Sequence, residues 1–183
     1  MSIITNVMRV RETIAEACGR AGRSEAGVTL VAVSKTHPPE MILQAAETGV
    51  QHFGENRVEE AGTKIPLVNV QAPYPLVWHM IGHIQSRKAK EVVPLFQMVQ
   101  AVDSLKLAGK LSALAVEQGR RLPALLEVNV SGEAAKYGIQ ASGWERDPLV
   151  WRAVCVEIEA MLALPGLDVR GLMTMAPIVD DME

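Results

Sequence analysis

Six short apolar runs recur along this chain, beginning at Val28, His52, Leu76, Met98, Ala124 and Leu167, and the first five each lead into a stretch with helical spacing. Runs that are apolar at successive positions are buried on both faces. Such strands alternating with helices predict a parallel sheet covered by helices. A doubly wound open sheet and a (β/α)8 barrel both satisfy the pattern. No GxGxxG follows the first run, which disfavours the dinucleotide-binding version, and no Walker lysine motif is present. The barrel is the better reading of the two. One extra helix precedes the first strand: Ile3, Val7, Val10, Ile14 and Ala17 share a face, and Gly19 and Gly22 end it.

Composition removes several function classes. With 183 residues, 49% of them hydrophobic, the chain can bury a sizeable core and is not disordered. A single domain over 1–183 is the expectation. Eighteen basic and 21 acidic residues leave a net charge of −3, so nothing electrostatic calls for nucleic acid or an anionic membrane. Cys18 and Cys155 are far apart and outside any CxxC pattern, which argues against a disulfide framework or a zinc site and fits a reducing cytoplasm. The amino terminus shows no basic segment followed by an apolar one, so the chain reads as unexported.

Chemistry-bearing residues sit where the runs end. Lys35 closes Val31-Ala-Val-Ser-Lys35. In a barrel the C-terminal strand ends form the active face. A lysine partly desolvated there has a lowered pKa and can attack an aldehyde. A lysine that simply snorkels to water fits the segment as well. Asn56, in Gly54-Glu55-Asn56-Arg57, can cap the next helix or hydrogen-bond a ligand. His79 and His83 are four apart, but Met80 stands where a zincin needs glutamate, and on a strand that spacing is about 13 Å. A metal role is therefore rejected, and His79 reads as a hydrogen-bonded core histidine. The Arg87, Lys88, Lys90 run reads as a solvated helix face. Asp103-Ser104, Asn129 to Gly132 and Gly171 to Pro177 are further strand ends with polar or turn residues.

Taken together, these segments resemble the pyridoxal phosphate homeostasis proteins, single-domain relatives of the alanine racemase barrel domain. The matching stretches are Val31 to Thr36, His52 to Arg57, Trp78 to Lys88, Val102 to Ser104, Val128 to Glu133 with Lys136 and Gly138, and Arg170 to Pro177. The Trp-His-x-Ile-Gly-x-x-Gln-Ser-x-Lys stretch is the most specific. The resemblance implies a (β/α)8 barrel of the alanine racemase N-terminal kind that binds pyridoxal 5′-phosphate (PLP). By position, Lys35 is similar to the family's Schiff-base lysine. Asn56 and His79 sit where contacts to the cofactor ring are expected, and no catalytic or metal residue is implied.

The function that follows is cytoplasmic PLP, vitamin B6 and amino-acid homeostasis by a monomer without turnover. A PLP-dependent racemase or decarboxylase is the first rival. It needs acid–base groups, and neither Tyr74 nor Tyr137 has an evident partner in the sequence. A regulatory protein-binding module is the second. Six strands fall short of eight, and Pro177 to Glu183 reads as the acidic first turn of a sixth helix. The expectation is a C-terminally truncated barrel lacking the phosphate-binding loops.

Overall fold

A computed structural model of the chain describes residues 2–175. The expected helix start at Pro177 to Glu183, and Ala176-Pro177 of the last matching stretch, lie outside the described residues. The chain divides between His79 and Met80 into two compact units.

The first unit opens with α1 (Ile3–Arg20), capped by the Ser2 side chain accepting from the Thr5 N–H. Its covered stripe is Ile3, Val7, Ile14 and Cys18, with Cys18 fully buried, while Val10 and Ala17 of the expected face are exposed. The predicted first strand shortens to β1 (Val31–Val33), because a 3-10 turn occupies Glu25–Gly27 just ahead of Val28. Pro39 starts α2 (Pro39–Glu47) at the position where its missing N–H costs nothing. Then come β2 (His52–Glu55), α3 (Val58–Gln71) and β3 (Val77–Met80), the last running across the division. β1 and β2 are parallel, with Val31 opposite His52 and Val33 opposite Gly54. β3 adjoins β2, and the Val77 N–H donates to the Gln51 carbonyl. Phe53 and Trp78 pack ring against ring on the covered face, and the Trp78 indole N–H donates to Asn69 Oδ1 of α3.

The second unit holds α4 (Ala89–Leu95), β4 (Met98–Val102), α5 (Leu105–Glu117), β5 (Leu122–Asn129), β6 (Ile139–Gln140), α6 (Pro148–Leu162) and β7 (Leu167–Met173). Ser104 and Asp147 cap α5 and α6 with their side chains. β5 is the hub: β4, β6 and β7 all pair with it in parallel. Leu107 and Leu111 of α5, Leu122 and Leu126 of β5, and Leu167 form its core. β6 went unpredicted, since two residues inside a glycine-rich loop carry no periodicity. No helix among the described residues is long and apolar enough to cross a membrane.

Candidate functional site

Lys35 does not end a strand; it sits two residues past β1 in a tight turn. The turn runs from Ser34 to His37 and is closed by the His37 N–H donating to the Ser34 carbonyl, 3.1 Å. Thr36, the third residue, has φ +64°, a left-handed conformation that a β-branched side chain rarely takes. The partial desolvation expected of Lys35 is absent, because its side chain is exposed. The reason is local: the turn carries residue 35 clear of the strand's covered faces.

Beneath this turn lies a buried polar network that joins β2 and α3 to it. Glu55 is 0% exposed and Lys64 6%. Lys64 Nζ lies 2.9 Å from Glu55 Oε1 and 2.6 Å from Glu60 Oε1. It also donates to the Ser34 carbonyl at 2.9 Å. The Ser34 hydroxyl donates to Glu55 Oε1 at 2.6 Å, and Glu60 Oε1 accepts the Thr36 N–H at 2.7 Å. The ammonium of Lys64 beside Glu60 holds that carboxyl below the ordinary carboxylate range. Of this network only the Glu60–Lys64 pair carries a signal in the sequence, and it was not singled out there. Glu60 and Lys64 stand at the i,i+4 spacing of a helical ion pair. Glu55 and Thr36 carry no such signal.

Asn56 directly follows β2, two residues past Gly54, as Lys35 stands two residues past Val33 of β1. Because Val33 is paired with Gly54, both residues leave the C-terminal ends of neighbouring strands at the same level. The capping reading of Asn56 fails: α3 is preceded by Arg57 at the cap position, with no side-chain cap bond. Asn56 is exposed.

His79 lies deeper, within β3, and is 3% exposed. Its Nε2 sits 2.9 Å from Nδ1 of His52, the first residue of β2, with one proton between them. Burial first, and the neighbouring His52 second, lower its pKa to about 4. Its imidazole is therefore neutral at pH 7. His52 was not singled out in the sequence, since only the pairing of β2 with β3 reveals it. Half-buried, it also lines a cavity of about 330 Å³ with Arg11, Glu25 and Gly49.

In the second unit, the remaining polar strand ends serve the loops themselves. Asn129 accepts from the Gly132 N–H and donates to the Glu133 carbonyl, and Lys136 pairs with Glu133. Asp103 binds His83 at 2.8 Å, and His83 stacks on Tyr137 with centroids 3.6 Å apart. Tyr74 of the first unit donates to the Ala46 carbonyl. Both tyrosines thus have partners the sequence did not reveal. Burial, with Asp103 nearby, raises the pKa of Glu127.

The alanine racemase N-terminal domain family matches residues 6–183. The pyridoxal phosphate homeostasis protein of Pseudomonas aeruginosa is 42% identical over 176 residues, covering 94% of this chain and 69% of the relative. The chain belongs to the pyridoxal phosphate homeostasis protein family. PipY of Synechococcus elongatus, solved with PLP bound, is 34% identical with TM-score 0.69, over 91% of this chain and 72% of PipY. Alanine racemase of Clostridium difficile 630 is similar in fold alone, at 16% identity and TM-score 0.61 over 82% of this chain and 36% of the racemase. The parallel strand–helix alternation is thus that of the alanine racemase N-terminal barrel domain.

Proposed function

We propose that this protein holds PLP reversibly through Lys35 and serves PLP and amino-acid homeostasis in the cytoplasm as a monomer, without catalytic turnover. The observation that carries the reading is the exposed primary amine of Lys35 on a braced turn at the C-terminal end of β1, in a chain of this family. PLP supplies an aldehyde carbon; its condensation with the amine releases one water, and hydrolysis reverses it. The donor set fits that group. Lys35 is accessible, the Asn56 amide leaves the neighbouring strand end at the same level, and the buried imidazole of His79 in β3 is neutral and adds no charge. The family name of the relatives and the PLP bound to PipY support the cofactor.

Borohydride reduction after incubation with PLP tests the reading. One PLP-sized mass increment, mapped to Lys35 and absent from Lys35→Ala, is the expected result. Equal labelling of Lys35→Ala would sink it. Turnover of free amino acids that disappears in Lys35→Ala would favour the enzyme instead.

A further inference from the structure

We propose that Glu60 and Lys64 of α3, together with Glu55 of β2, are positioning residues for Lys35: they lock the turn that carries its amine and so set how readily the amine engages an aldehyde. The inference rests on the reading of Lys35 above.

Three observations converge on it. First, the network ends on the residues either side of Lys35. Lys64 holds the Ser34 carbonyl, Glu55 holds the Ser34 hydroxyl, and Glu60 holds the Thr36 N–H. The side chain of Lys35 is itself exposed, so the turn's backbone sets the direction in which it departs. Second, Thr36 at φ +64° is a strained conformation next to that amine. Such strain persists where the surroundings over-determine the backbone, and it clusters at functional sites. The bond from Thr36 to Glu60 is the restraint found here. Third, a buried ion pair is a poor way to gain stability, because desolvation of both charges offsets their attraction and apolar residues of equal volume do as well. What Glu55 and Lys64 supply that apolar residues cannot is a set of directed hydrogen bonds. Lys64 is not a rival nucleophile: it is buried and held between two carboxylates.

The test uses the full chain and the variants Glu60→Ala, Glu60→Leu and Glu60→Gln. Glu60 is partly exposed, so its truncation leaves the buried Glu55–Lys64 pair in place. Leucine keeps the helix and the bulk, and serves should the alanine variant fold poorly. Glutamine keeps an acceptor for the Thr36 N–H. Two readouts are taken: hydrogen exchange of the Thr36 amide without PLP, and the rate of borohydride-trapped labelling of Lys35 by PLP. In Glu60→Ala and Glu60→Leu, exchange quickens by about tenfold or more, as loss of a hydrogen bond to a charged group implies, and labelling slows by a similar factor. Glu60→Gln recovers most of both. Faster exchange with unchanged labelling would make the network merely structural and overturn the proposal. Unchanged exchange would overturn it too. If wild-type Lys35 is not labelled at all, the reading of Lys35 falls, and this inference with it.

Discussion

His79 and His52 share one proton across 2.9 Å in a site that disfavours a second. The consequence is a pH dependence with a definite sign. An unfolded chain protonates His79 near its ordinary 6.5, whereas the folded chain does so only at about 4. Stability from this group is therefore complete above pH 6.5 and is lost as pH falls towards 4, by about 3 kcal/mol at the lower end. Burial lowers His52 as well, so it acts in the same direction. Urea denaturation at pH 7.5 and 4.5 checks this. The wild type loses more stability between the two than His79→Gln does, and equal losses would refute the assignment. The same shift keeps the His79 imidazole neutral throughout the physiological range.

At the scale of elements, one contact sets the approach of α5 to the start of β7. The Gly166 N–H donates to the Ser112 hydroxyl at 2.9 Å. A Cβ on Gly166 would lie 2.1 Å from the Ser112 carbonyl oxygen, which is helix backbone and cannot swing aside. Gly166→Ala therefore forces α5 away from the loop that feeds β7. The expected cost is roughly 2–3 kcal/mol, the upper range of overpacking. A lowered denaturant midpoint at constant slope is the measurement; an unchanged midpoint would show that α5 yields freely. Because β7 pairs with six residues of β5, the hub strand shares the disturbance.

At the scale of the whole molecule, a ligand bound only by the folded state stabilises it by mass action. If Lys35 holds PLP, a hundredfold excess of PLP over its dissociation constant raises the unfolding free energy by about 2.7 kcal/mol. Thermal melts with and without PLP read this directly. Lys35→Ala abolishes most of the shift, whereas a shift of equal size in the variant would place the cofactor elsewhere. The net charge of −3 offers no general attraction for an anionic cofactor, so affinity depends on local groups.

The amino-acid sequence alone determined the parallel strand–helix order, because buried runs and helical spacing are local patterns that water imposes on any such chain. The starts of α2 and α5 were equally legible: Pro39 suits the first helical position, and Ser104 accepts from the Leu107 N–H. Lys35, Asn56 and His79 were legible as residues near strand ends, though not in their surroundings. Only the tertiary structure decided that Lys35 stands exposed beyond β1, that Asn56 caps nothing, and that His79 meets His52. It alone disclosed Glu55 and Thr36 beneath and beside Lys35. These facts depend on strand register and on backbone turns that bring positions 20 to 30 residues apart within 3 Å. Periodicity records which residues face inward, and it holds no information about which partner they meet there.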